Sequence, residues 1–150
     1  MLAGKNIVVT GAIQGIGRAT LDYFVQNHAN VWACALQPSE EFESHCQYIA
    51  QKNGVWVKPI YFNLLEQEQI KEAVKEIMKD KRPVDGLVNI AGMTKDAIFH
   101  MVSMEDLHRI FEVNFFSQIY FSQSITKLML RNPNKSSVVF VSSITAIDGN

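Results

Sequence analysis

The segment Thr10-Gly-Ala-Ile-Gln-Gly-Ile-Gly17 has residue types and a spacing suited to one kind of chemistry, the binding of an anion. Gly11 permits a tight turn at positive φ. Gly15 carries no side chain, so a phosphate can approach the backbone there, and Gly17 lets a following helix pack close to the sheet. A helix that opens at this point offers free N–H groups and about half a positive charge to a pyrophosphate. Thr10, Gly11, Gln14, Gly15, Ile16 and Gly17 are therefore candidate nucleotide-binding residues. The alternative is a purely structural turn, because three glycines alone recur in α/β proteins without a ligand.

A site for NAD places an Asp or Glu about 20 residues beyond such a loop, to bond the ribose 2′-OH. Ala35-Leu36-Gln37 stands there instead, and the next acid, Glu40, belongs to the following helix. The missing acid points to NADP as cofactor, leaves NAD open, and makes Leu36 a candidate contact. Arg18, nearby, reads as a solvated first-turn arginine.

Two alternating periods give the elements that must position the loop. Ile7-Val8-Val9 is a short β-branched run, a buried strand. Ile16, Ala19, Thr20, Tyr23 and Phe24 then form one face of a helix. Residues 31–36 form a second strand, and Phe42, Cys46, Ile49 and Ala50 mark a helix stopped by Asn53-Gly54. Residues 55–62 contain a third strand, and Pro59 assigns it to a sheet edge because proline cannot donate to the ladder. Ile70, Ala73, Val74, Ile77 and Met78 give a third helical stripe, and Pro83 closes the link to a strand holding Leu87-Val88. Ser103-Met-Glu-Asp106 is a capping-box variant that opens a long helix over 103–131. Asn132-Pro133-Asn134 ends it, and 138–141 is a fifth strand. Such alternation predicts an α/β fold, a doubly wound parallel sheet covered on both faces. Asn114 shares the apolar face of Leu107 and Phe111, which predicts a buried amide. Such a group costs about 1–3 kcal/mol unless partnered, and it kinks its helix where backbone satisfies it.

The glycines at 11, 15 and 17, preceded by Thr10, resemble the short-chain dehydrogenase/reductase family and not the ordinary G-x-G-x-x-G. Asn63-Leu64 stands where that family places an Asp or Asn at the adenine. Asn89-Ile-Ala-Gly92 is similar to the family's N-N-A-G, with Asn89, Ala91 and Gly92 matching and Ile90 departing. Val113-Asn114 resembles the family's catalytic-site Asn. The stretch GMTKDAIFHM is most similar to the family's 3-oxoacyl-acyl-carrier-protein reductases. The resemblance implies a Rossmann-type sheet in the order 3-2-1-4-5 and NADP- or NAD-dependent reduction of a carbonyl. It implies a small carbonyl or alcohol substrate, carried by an acyl-carrier protein in fatty acid biosynthesis. It further implies a cytoplasmic homodimer or homotetramer joined through the 103–131 helix.

Hydride reduction needs a proton donor beside the carbonyl oxygen and a hydrogen-bonding group that holds it. The resemblance gives these roles to a serine after the fifth strand and to a tyrosine, with a lysine four residues beyond. Small residues three and six places on, followed by Asn, fit Ser143 with Ala146, Gly149 and Asn150, and do not fit Ser142. The tyrosine is expected thirteen residues after the serine, which is past Asn150. Tyr48-Ile-Ala-Gln-Lys52 has the spacing of that pair but lies on the wrong helix, and reads as an ordinary surface pair. The ending VSSITAIDGN thus reads as a cut: residues 1–150 are the N-terminal portion of one dinucleotide-binding domain. Alone it is expected to be inactive, and poorly soluble through an open apolar strand edge.

Fourteen basic and fifteen acidic side chains give a net charge of −1, so bulk electrostatics predicts neither a nucleic-acid nor a membrane partner. No stretch reaches the roughly 18 apolar residues of a membrane span, and the N-terminus lacks a signal-peptide shape. Cys34 and Cys46 read as buried free thiols, and the four histidines have no metal-ligand spacing, so no metal is expected. Two other classes stay open: a complete binding module without chemistry, and an interaction protein whose apolar helix is mainly a dimer surface.

Overall fold

The computed structural model describes residues 1–95, 97–144 and 147. Among them β1 (Asn6–Val9), α1 (Gly15–Gln26), β2 (Asn30–Ala35), α2 (Glu40–Asn53), β3 (Val57–Tyr61) and α3 (Gln67–Lys79) alternate strictly. β4 (Gly86–Asn89) follows, then α4 (Met104–Phe111), α5 (Ser117–Met129) and β5 (Ser137–Phe140). The five strands form one sheet in the order β3-β2-β1-β4-β5, and every pairing is parallel. β1 is central: Ile7 stands opposite Val31 on one side and Gly86 on the other.

Period-two alternation divides the core into two layers. Val8, Trp32, Ile60 and Leu87 face Ile70 and Ile77 of α3 and Phe121 and Ile125 of α5. Ile7, Val9, Val31 and Ala33 face Leu21 and Val25 of α1 and Phe42 and Ile49 of α2. Burying each of these large side chains contributes about 1.5–3 kcal/mol. All four residues of β1 are buried, and Ile7-Val8-Val9 accordingly read as an unbroken apolar run. Pro59 does lie on an edge strand, since β3 pairs with β2 alone. Gly54 ends α2 in the left-handed conformation, φ 67°, as Asn53-Gly54 predicts. Met78, expected in the core stripe of α3, is exposed.

The long helix is not continuous. A π-helical turn, Glu112–Phe116, separates α4 from α5, and the Ser117 N–H reaches back five residues to the Glu112 carbonyl. Ser103 caps α4 by accepting from the Asp106 N–H, but the Asp106 carboxylate bonds the Ser103 hydroxyl and leaves the backbone N–H of the usual box alone. β5 closes one side of the sheet with all four of its residues exposed, and no strand lies beyond it among the described residues.

A polar cluster pins the amino ends of the strands. Asp85 accepts from the Asn6 N–H at 2.9 Å, Lys5 Nζ at 3.0 Å and Asn132 Nδ2 at 3.1 Å. Burial acts to raise the Asp85 pKa, but the Asn6 N–H, Lys5 and Asn132 outweigh it and hold the carboxyl below its ordinary value. A depressed folded pKa gives stabilisation that is present above the unfolded value of about 3.9 and is lost as pH falls through the folded one. We expect Asp85→Asn to be less stable than wild type at neutral pH, with the gap closing below about pH 4. Urea midpoints measured across pH check this, and a gap constant with pH would contradict it.

Candidate functional site

The site forms where β1 and β4 end side by side and their following loops part to opposite faces of the sheet. This is the switch point of a doubly wound fold. After Thr10 the chain turns at Gly11, φ 68°, and a Cβ there would lie 2.9 Å from the backbone of Ala91. The loop then folds onto itself, so that a Cβ on Gly17 would meet the Gly11 carbonyl oxygen at 1.9 Å. The expected reason for Gly17, close packing of helix on sheet, is thus replaced by a tighter one, contact within the loop. At Gly15 a Cβ would meet nothing within 4 Å, so the backbone is open toward the cavity side. α1 begins there with Gln14 as an extended N-cap that makes no side-chain cap bond, and with no acid in its first turn. Its leading N–H groups therefore have no side-chain partner from the cap.

The loop after β4 is held by side chains from three elements. Thr10 Oγ1 accepts from the Ile90 N–H at 3.0 Å and the Ala91 N–H at 3.1 Å. Gln118 Nε2 donates to the Ala91 carbonyl. Asn114 Oδ1 accepts from the Met93 N–H and its Nδ2 donates to the Met93 carbonyl, both at 2.8 Å. This corrects the buried amide inferred from periodicity: Asn114, Leu107 and Phe111 are all exposed. The amide is satisfied by distant backbone instead of burial, and the helix face it shares looks away from the sheet.

Together these loops enclose a cavity of about 570 Å³, within the usual range for small-ligand sites. Every cofactor candidate drawn from the sequence lines it except Asn89. That residue is buried and donates to Ser122 Oγ at 3.0 Å, while its Oδ1 has no partner among the described residues. Leu36 lines the cavity from the end of β2, and Asn63 from an Asx turn in which its Oδ1 accepts from the Leu65 N–H at 2.9 Å. Ile90, where the family motif has Asn, also lines the cavity, and its N–H is taken by Thr10.

Arg18 is not solvated as expected. Its guanidinium bonds the Ile13 carbonyl at 3.1 Å and lies 5.5 Å from the centre of the Phe42 ring, so it braces the glycine loop. Ser142 and Ser143 follow β5 on the exposed carboxyl side of the sheet, beside the β4 loop, since the Val141 N–H bonds the Asn89 carbonyl at 3.0 Å. Neither Ser143 nor Asn114 lines the cavity itself. Ala146, Gly149 and Asn150, used to choose Ser143, lie outside the described residues. Tyr48 and Lys52 form a surface pair on α2, Nζ 5.7 Å from the ring centre, away from the cavity. Cys34 lines the cavity, but burial pushes its thiol far above the ordinary range, so it stays protonated and inert. Burial likewise pushes Cys46 up to about 12.

Sequence reasoning missed Val113 and Arg109, which line the cavity from one side of the helical segment ahead of Asn114. Their spacing of four residues was the available signal. No helix among the described residues is long and apolar enough to cross a membrane.

Residues 5–150 match the family model of the short chain dehydrogenases. The chain is 34% identical over 149 residues to a 3-oxoacyl-acyl-carrier-protein reductase of Thermotoga maritima, covering 99% of this chain and 59% of that protein. It thus spans about three fifths of the length of the curated relatives it matches. A solved 3-oxoacyl-acyl-carrier-protein reductase from Agrobacterium tumefaciens with NADP bound superposes with a TM-score of 0.85 at 25% identity, over 99% of this chain and 56% of that one. L-Sorbose reductase from Gluconobacter frateurii, solved with NADPH and L-sorbose, gives 0.91 at 21% identity over the same shares, a likeness of fold.

Proposed function

We propose, for a chain that belongs to the short-chain dehydrogenase family, that it forms the nucleotide-binding part of an NADP-dependent reductase acting on a 3-oxoacyl thioester or similar carbonyl. The observation that carries the reading is the cavity at the β1–β4 switch point, where the uncapped N-terminus of α1 stands beside an open Gly15. That geometry suits a pyrophosphate. The absence of an acid at Leu36, together with the NADP of the Agrobacterium relative, favours NADP over NAD. Bound NADPH would supply the hydride. Thr10, Gln118 and Asn114 would keep the β4 loop rigid against the cofactor, and Leu36, Asn63 and Leu64 would receive its adenosine end.

Ser143 would hold the carbonyl oxygen. The proton donor that the resemblance implies stands thirteen residues after that serine, so residues 1–150 without it are expected to bind nucleotide without turning it over. Two copies would pair through α4, the π turn and α5, where Leu107, Phe111, Phe115, Phe116 and Ile119 are exposed.

Titration with NADPH and NADH, followed by an assay of NADPH oxidation with an acetoacetyl thioester, tests the reading. We expect saturable NADPH binding, weaker NADH binding and no oxidation. A folded chain that binds neither cofactor overturns the nucleotide assignment. Thioester-dependent oxidation overturns the inactivity of residues 1–150.

A further inference from the structure

We propose that Arg109 is the residue that recognises a phosphate of the bound dinucleotide, by charge. The inference rests on the nucleotide assignment above and adds a residue to it.

Among the described residues that line the cavity, Arg109 alone is charged. The rest of the lining is apolar, backbone, or neutral amide and hydroxyl. A dinucleotide brings two negative charges on its pyrophosphate, and NADP brings up to two more on the 2′-phosphate. An anion taken into a largely apolar cavity needs a compensating charge. The N-terminus of α1 offers only about half a unit. Gln14 in the glycine loop and Leu36 after β2, which also line the cavity, are both uncharged. Arg18, the nearest other cation to the glycine loop, is committed to the Ile13 carbonyl and the Phe42 ring.

Arg109 is uncommitted. Its guanidinium makes no hydrogen bond or ion pair with any described residue. Asp106, on the preceding turn, is engaged by Lys95 and Ser103, and interacts with Arg109 only through space. Val113, one turn further on, also lines the cavity, so this side of the helix faces the ligand. A guanidinium in such a position offers paired donors that match phosphate oxygens.

The shared chemistry is a phosphate, either the 2′-phosphate or the pyrophosphate, and two cofactors separate them. Affinities of NADPH and NADH are measured for wild type, Arg109→Gln and Arg109→Lys over a range of salt concentrations, with folding checked by circular dichroism. We expect Arg109→Gln to weaken NADPH roughly tenfold or more and to flatten its salt dependence, with Arg109→Lys between the two. Loss confined to NADPH assigns the 2′-phosphate. Salt-sensitive loss for both cofactors assigns the pyrophosphate. Unchanged affinity for both overturns the proposal. Equal loss indifferent to salt also overturns it, because a guanidinium stacked on adenine would give that result. If wild type binds neither cofactor, the nucleotide assignment itself has failed; if wild type binds and Arg109→Gln binds equally, only this inference has.

Discussion

Gly17→Ala will lower the stability of the chain by about 3 kcal/mol or more and abolish nucleotide binding, an expectation set by backbone overlap. The new Cβ would stand 1.9 Å from the Gly11 oxygen, 2.6 Å from its carbonyl carbon and 3.2 Å from the Ala12 nitrogen. None of these atoms is the end of a flexible side chain. Gly11 has little room to move toward the β4 loop, because even a Cβ added to it would stand 2.9 Å from the Ala91 backbone. Ala12 is held too, because it is fully buried and its N–H bonds the Cys34 carbonyl at 3.0 Å. The first turn of α1 must therefore move, and the open backbone at Gly15 moves with it. Overpacking a core by one methyl ordinarily costs about 1–3 kcal/mol, relieved by side-chain shifts. Here no side chain is available to shift, so the upper end is expected. The urea midpoint and the NADPH affinity measure it, and a variant matching wild type in both would show that the loop does not fold back on itself.

Thr10→Val carries the second large effect. The substitution keeps the shape and removes one oxygen. That oxygen accepts from two backbone N–H groups, Ile90 and Ala91, in a residue that is itself 1% exposed. Each buried donor left without a partner costs about 1–3 kcal/mol. Ile90 and Ala91 are half-buried, so water relieves part of the loss, and we expect a total near 2 kcal/mol. Nucleotide affinity should fall as well, because the Ala91 end of the loop forms one wall of the cavity. Thr10→Ser keeps the acceptor and should recover most of the stability. A Val variant as stable as wild type would show that the two N–H groups do not depend on this oxygen.

Much of the architecture is legible because it depends on local rules. Short apolar runs alternating with three-and-four stripes gave the strands and helices, Pro59 marked the edge, and Asn53-Gly54 marked the end of α2. The glycine loop is legible for the same reason, since each glycine answers a local steric demand. Asn114 shows where this stops. Periodicity finds which side of a helix is apolar, but not whether that side meets the core, and Leu107 and Phe111 do not. The π turn adds a residue and rotates the helix beyond it, and only its long-range bonds to Met93 explain the amide there. Arg18 and Arg109 were missed by the same limit. An arginine on a helix is solvated by default, and only tertiary neighbours make one a brace and leave the other facing a cavity. Nothing local marks Asn89 as a strut to Ser122, since the pair is 33 residues apart.

The central claim is that the crevice at the carboxyl ends of β1 and β4 receives the dinucleotide. Following every backbone amide of the isotope-labelled chain by NMR during an NADPH titration tests it most directly. We predict saturable shifts at Gly11, Gly15, Ile16, Gly17, Asn63 and Gly92, with none at Asn6, Asp85 and Asn132 at the opposite end of the sheet. Shifts confined to that opposite end, or no shifts from a folded chain at saturating NADPH, would contradict the account.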